Sequence, residues 1–225
     1  MNSFSETNLY DLFPSSYGKI DKCMYAYYKT IKKFADKVKN SKILDVGCGL
    51  GNYTTLFTSN RNSVYAIEIL DVRDKKFSSN YKFILYDGSI FPFKNNTFEV
   101  VMNFDVIEHV KNDTKFVKEM YRVLKPGGST IVATPNRHRI ASILLKLIGK
   151  KDVFPKVMQE EGIGGKSIHE REYTSGELKK LFSKTGFKDI KTYGCWMGVR
   201  GKYNFGTERF VIPAFAHTIF LYASK

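Results

Sequence analysis

An apolar run, Ile43-Leu-Asp-Val46, opens at Gly47 into a loop with glycine at every second position, Gly47, Gly49 and Gly51. Glycine at this spacing turns tightly and brings the backbone close to a ligand, because no Cβ intervenes. A strand that feeds such a loop at the head of a helix is the nucleotide-binding arrangement of open α/β sheets. The dinucleotide fingerprint would need a further glycine at position 52, where Asn52 stands, so that fingerprint is not met.

Downstream the chain alternates short apolar runs with helix-like segments, the pattern of βαβ units and a mainly parallel sheet. Strands are expected at 42–47, 63–68, 82–87, 98–104 and 129–134, and two late β-rich segments at 187–196 and 215–223 would complete seven. A Thr-rich helix is expected over 52–60. Phe116, Val117, Met120, Val123 and Leu124 mark one face of a helix over 113–124, stopped by Pro126-Gly127-Gly128. Leu178, Leu181 and Phe182 mark another over 174–185, with Gly186 as its C-terminal stop. The expectation is an α/β, doubly wound, Rossmann-like seven-stranded sheet, mainly parallel with the last strand antiparallel, in a single domain over 1–225. Two pieces lie outside the pattern: a Tyr- and Lys-rich helix over 18–39, within an N-terminal cap of about 1–40, and an insertion over 137–168. The insertion carries the apolar helix Ile140–Ile148 and a glycine-rich loop, Glu161-Gly-Ile-Gly-Gly-Lys166. It reads as a lid, a substrate-binding segment, or a lipid- or RNA-facing element.

Composition narrows the partners. No apolar stretch approaches the roughly 20 residues of a membrane-spanning helix, and the N-terminus lacks a signal peptide pattern. Cys23, Cys48 and Cys195 are scattered singly, without metal or disulfide spacing. A cytoplasmic protein is therefore expected. The formal net charge of +14 admits nucleic acid or another anionic partner, although spread lysines equally describe a solvated surface.

Acids fall at the ends of strands. Glu68 is placed to accept hydrogen bonds from ribose hydroxyls; Asp71, three residues on, is the alternative acceptor and is expected rather to cap the next helix. Asp87, in Tyr86-Asp-Gly-Ser-Ile-Phe-Pro-Phe93, can accept adenine amino protons while Ile90 and Phe91 supply apolar surface; Asp87-Gly88 is also a turn dipeptide.

The stretch from Ile43 to Asn136 resembles the class I S-adenosylmethionine-dependent methyltransferases, specifically the small-molecule type 11 branch. Leu44-Asp-Val-Gly-Cys-Gly-Leu-Gly51 resembles motif I, Asp87–Phe93 the adenine segment, and Arg122-Val-Leu-Lys-Pro-Gly-Gly128 the lead into strand 5. The resemblance implies S-adenosylmethionine as cofactor. Its expected contacts are Asp45, Gly47, Cys48, Gly49, Gly51, Glu68, Ile69, Asp87, Gly88, Ser89 and Asn103.

After strand 4, Asp105-Val-Ile-Glu108-His109 places two acids and an imidazole at the substrate edge, and His169 precedes the last helix. This arrangement, with Thr134-Pro-Asn136, resembles metal-assisted O-methyltransferases of quinone synthesis and small-RNA 2′-O-methyltransferases. Carried over, a divalent metal would be held by Asp105, Glu108, His109 and His169. Asp105 departs from those families, which place Glu there. Without metal, Glu108, His109 and His169 are the catalytic candidates, an imidazole acting as general base. His138 and His217 are expected to be structural or solvated. Tyr17, Tyr25, Tyr27, Tyr28, Trp196 and Tyr203 are candidates to line an apolar pocket or ordinary core residues. The expected activity is methyl transfer to a small molecule, with O-methylation of a hydroxyl as one form. The alternatives are 2′-O methylation of RNA and a non-catalytic cofactor-binding subunit.

Overall fold

The computed structural model describes residues 22–150, 155–159, 166–199, 205–207 and 212–225. Its centre is a seven-stranded sheet in the order β3-β2-β1-β4-β5-β11-β8. The strands are β1 (Lys42–Val46), β2 (Ser63–Glu68), β3 (Lys82–Leu85), β4 (Phe98–Phe104), β5 (Leu124–Pro135), β8 (Lys188–Cys195) and β11 (Thr218–Ser224). β1 to β5 pair in parallel, and β11 runs antiparallel to both β5 and β8. The expected fold class is therefore observed.

Alternating side chains of the central strands feed two cores. Leu44, Val46, Val101 and Leu221 meet α2 (Asp113–Val123) and α4 (Ser175–Thr185) through Phe116, Met120, Leu178 and Phe182. Ile43, Val100, Met102 and Phe220 meet α1 (Lys22–Ala35) through Ala26, Tyr27 and Ile31. Local chemistry fixes the helix ends. Asn112 Oδ1 accepts from Lys115 N at 2.9 Å at the start of α2. Thr174 and Glu177 form a reciprocal capping box at the start of α4, and Gly186, at φ +106°, ends it in the left-handed region.

The structure corrects several sequence expectations. The helix expected over 52–60 contracts to one 3₁₀ turn, Thr54–Phe57; its residues favour side-chain-to-backbone bonds over helix, and α1 covers that face instead. Asp71 pairs with Arg73, and the cap falls to Asp74, which accepts from Lys76 N at 2.9 Å ahead of a 3₁₀ turn. Within the insertion, α3 (Ile140–Leu147) is followed by an unforeseen antiparallel hairpin, β6 (Lys156–Gln159) with β7 (Lys166–His169). A second small pair joins β9 (Met197–Val199) to β10 (Phe205–Thr207). Most of the glycine-rich loop, with Tyr17 and Tyr203, lies outside the described residues.

Candidate active site

The glycine loop is braced from three sides. Gly47 N donates to Ile67 O at 2.8 Å, and Gly49 N to Glu68 Oε2 at 3.0 Å. Beneath it Thr54 Oγ1 donates to Asp45 Oδ2 at 2.6 Å, and Asn103 Nδ2 donates to Val46 O at 2.9 Å. All three glycines have positive φ. A Cβ on Gly47 would stand 2.3 Å from Val106 Cγ2, and one on Gly51 2.1 Å from Tyr81 Oη. Gly49 differs: a Cβ there meets nothing within 4 Å, so its outer face is open.

Around this opening the expected cofactor residues are gathered at one edge of the sheet. Glu68 ends β2 and accepts from Ile69 N at 2.7 Å as well as from Gly49 N. Asp87 is exposed and accepts from Ser89 N and Oγ through one oxygen, the turn role its Asp-Gly pair suggested. Gly88 lies beside Ile69, whose side chain is exposed together with that of Ile90. Asn103 is buried, and among the described residues its Oδ1 has no hydrogen-bond partner, as is true of the Nδ2 of buried Asn52. An open glycine face, unspent polar atoms at the loop and apolar side chains at its rim fit a nucleoside-bearing ligand. Burial pushes the Cys48 thiol well up, so it is not a nucleophile at neutral pH.

Asp45 sits under the loop rather than facing the opening. Burial raises its carboxyl to about 7, against the opposing hydrogen bond from Thr54. A native carboxyl titrating near 7, with an unfolded value near 3.9, makes folding less favourable as pH rises between those values, by about 4 kcal/mol at most. Asp45→Asn is therefore expected to stabilise the ligand-free chain by about 2 kcal/mol at pH 8 and to lose most of that gain by pH 4, measured by urea unfolding. A pH-independent difference would show that Asp45 is ionised in the fold throughout.

After β4 the chain turns through Asp105, at φ +55°, into a 3₁₀ turn, Ile107–His109. The segment after β7 is strapped to it. Glu170 N donates to Glu108 O at 2.9 Å, and Arg171 donates to Val110 O and Lys111 O. This brings Glu108, His109 and His169 together, with one ligand atom of each lying within 4.8 Å of the others. His109 Nδ1 lies 3.0 Å from Ile168 O. A carbonyl only accepts, so Nδ1 carries the proton and Nε2 is the acceptor nitrogen. Glu108 is fully buried; Thr134 Oγ1 donates to its Oε2 at 2.9 Å, while Oε1 has no hydrogen-bond partner. Burial first, then the Asp105 charge, pushes its carboxyl well up.

Asp105, the fourth expected ligand, has a left-handed backbone and an exposed side chain and is not part of the group that the other three form, although its charge reaches Glu108. Tyr27, Tyr28 and Trp196 are buried; Tyr27 packs on Phe220 and Tyr53 with its hydroxyl beside Asp105, and Trp196 lines a pocket with Ala26, Thr30 and Cys195. His138 is exposed, and His217 stands just before β11 beside Trp196.

Sequence reasoning missed Glu172 and Arg139. Glu172 is 2% exposed; Arg139 donates to its Oε2 at 2.6 Å, and His169 Nδ1 lies 3.4 Å from Oε1. At that length the imidazole contact is an electrostatic orientation more than a formed hydrogen bond. Burial opposes ionisation of Glu172, but His169 and Arg139 outweigh it and hold the carboxyl down to about 2. The signal was present: Glu172 follows His169 by three residues in His169-Glu-Arg-Glu172.

Comparison with known proteins gives this geometry a context. Residues 44–132 match a family model described as a methyltransferase domain, type 11. A Mycolicibacterium smegmatis protein described as a probable S-adenosylmethionine-dependent methyltransferase is 26% identical over 170 residues, covering 74% of this chain and 60% of that protein. An uncharacterised Methanocaldococcus jannaschii protein is 37% identical over 107 residues, covering 48% of this chain and 46% of it. The chain thus spans about half the length of these relatives. In fold, it is similar to the 1,6-didemethyltoxoflavin-N1-methyltransferase of Burkholderia thailandensis, solved with bound 1,6-didemethyltoxoflavin and S-adenosylhomocysteine. The TM-score is 0.59 at 14% identity, over 91% of this chain and 79% of that one.

Proposed function

We infer that the chain is a class I S-adenosylmethionine-dependent methyltransferase, and on that premise we propose that it methylates a hydroxyl group of a small molecule. The observation that carries this reading is the meeting of Glu108, His109 and His169 at the sheet edge that holds the glycine loop, with Val106 packed on Gly47 between them. When bound, S-adenosylmethionine supplies an electrophilic methyl group on a sulfonium. The open face of Gly49 admits that ligand between Gly47 and Gly51. Glu68, which accepts from two backbone amides, would also accept the ribose hydroxyls of that ligand through its carboxylate oxygens. Ile69, Gly88, Ser89 and Asp87 would rim its adenine, Cys48 and Asn103 would back the loop, and Asp45 braces it from below.

A hydroxyl, unlike a neutral amine, must lose its proton as it attacks. The acceptor oxygen bonds the methyl carbon while the sulfur–carbon bond breaks, and the hydroxyl proton passes to the acceptor nitrogen of His109 or His169. Holding the two reactants in line is worth several kcal/mol of barrier. Glu108, His109 and His169 also fit a divalent ion, with imidazole and carboxylate donors and, at His169, an outer carboxylate on the other ring nitrogen. Such an ion would acidify the acceptor hydroxyl. The net charge of +14 supports the second reading, an RNA 2′-hydroxyl as acceptor.

Release of S-adenosylhomocysteine, measured against small catechol-type hydroxyls, small amines and short RNA, tests these readings. Turnover on the small hydroxyls is expected, and loss of at least about a hundredfold in His109→Ala with His169→Ala. Turnover on RNA alone would select the second reading, and turnover on amines with both histidines dispensable would overturn the first. Silence with every acceptor, in a protein that binds the cofactor, is the result expected of a non-catalytic subunit. Abolition by EDTA with recovery in Mg²⁺, Mn²⁺ or Zn²⁺ would mark the metal-assisted form; undiminished turnover in EDTA would exclude it.

A further inference from the structure

The C-terminal half of α3 presents to solvent what a surface helix ordinarily buries. Leu147 and Ile148 are 77% and 70% exposed, and Leu144 and Leu145 are exposed beside them. Leu144, Leu147 and Ile148 stand at i, i+3 and i+4, so they form one outward ridge. Within α3 only Ser142 is buried, and the helix is seated on β9. At its N-terminal end Ile140 N donates to Phe215 O at 3.3 Å, which sets another exposed ring next to the helix. Scattered apolar side chains are ordinary on a protein surface, but a contiguous group marks a contact site.

The charges around the ridge indicate its occupant. From Asn136 to Lys151 the sequence holds no acidic residue. Arg137 and Arg139 are committed to Glu177 and Glu172, whereas Lys146 and Lys150, which flank the ridge, form no ion pair among the described residues. Protein partners are gripped mainly by aromatic and arginine anchors in pockets. An aliphatic ridge with flanking lysines suits the boundary of an anionic bilayer, where acyl chains take the leucines and headgroup phosphates take the ammonium groups. The chain's net charge of +14 adds long-range attraction to such a surface.

We propose that α3 docks this protein onto anionic membrane surfaces. α3 follows β5 closely, and Asn136 bridges to Tyr173 at the same edge that holds His109 and His169. Docking therefore sets the candidate active site close to the lipid. The inference does not depend on which atom is methylated.

Co-sedimentation of the whole chain with phosphatidylcholine vesicles, with and without phosphatidylserine, tests it. Binding is expected to the anionic vesicles only, and to weaken about tenfold or more in Leu147→Ser with Ile148→Ser. Lys146→Glu with Lys150→Glu is expected to cause a loss of similar size. Circular dichroism and cofactor binding are expected to match wild type in both variants. Failure to sediment, or sedimentation indifferent to the Leu147 and Ile148 substitutions, would overturn the proposal. So would a dimer in analytical ultracentrifugation that those substitutions dissociate, which would make the ridge an interface between copies. Retention on RNA that those substitutions abolish, without vesicle binding, would overturn it as well.

Discussion

Gly49→Arg is expected to abolish S-adenosylmethionine binding while leaving the chain folded. The asymmetry among the three loop glycines underlies this. Side chains at Gly47 and Gly51 would collide with Val106 and Tyr81, so substitutions there confound folding with binding. At Gly49 a Cβ meets nothing within 4 Å, and its φ of +50° costs a non-glycine residue only about 1–2 kcal/mol. An arginine side chain would project into the face through which the ligand must enter. In calorimetry, affinity is expected to fall by at least about a hundredfold, nearly 3 kcal/mol, with the thermal midpoint lowered only modestly. Glu68→Ala provides the graded comparison, costing about 1–3 kcal/mol of binding through lost acceptors. Equal affinity in wild type and Gly49→Arg would mean that the ligand binds elsewhere.

The elements written most plainly in the sequence were those whose residues decide locally. β2 and β4 match their expected spans because Val64, Tyr65 and Ile67 in one and Phe98, Val100, Val101 and Phe104 in the other supply β-branched and aromatic side chains within short apolar runs. β5 begins earlier than expected. Leu124-Lys-Pro-Gly-Gly128 reads as a helix stop, yet Leu124 pairs with Phe98 and the ladder resumes at Ser129 after a register shift. Such a bulge depends on the neighbouring strand, which local propensity does not encode. The β6–β7 hairpin was hidden for the same reason: the Val157–Ile168 pairing joins distant residues across a segment with no strong alternation. Spacing placed Asp105 with Glu108 and His109; the structure groups Glu108, His109 and His169, and Asp105, at a left-handed φ, stays near enough for its charge to act on Glu108. His169 was legible as a residue type before the last helix, whereas the straps from 170 and 171 to the turn at Glu108 were not.

Glu172 joins these long-range features to chemistry. Its carboxylate lies between Arg139, at the entry to α3, and His169, so it ties the insertion to the site and sets the imidazole's orientation. Replacing it with alanine would leave a largely buried guanidinium, with a side chain 16% exposed, and an imidazole without its acid. Breaking one partner of such a pair costs about 3–5 kcal/mol, most of it from the charge left unpaired. Glu172→Ala is accordingly expected to lose about 3 kcal/mol in urea unfolding. Below its melting range, kcat should fall about tenfold to a hundredfold with cofactor affinity unchanged, as expected when an orienting outer residue is removed. Glu172→Gln keeps one acceptor oxygen, enough for Arg139 or His169 but not for both, and loses the charge, so it should recover part of the stability and part of kcat. A variant that loses stability but keeps full kcat would reduce Glu172 to a brace for the insertion. Loss of cofactor affinity in parallel with kcat would instead mean that the glycine loop and the histidine cluster share one support.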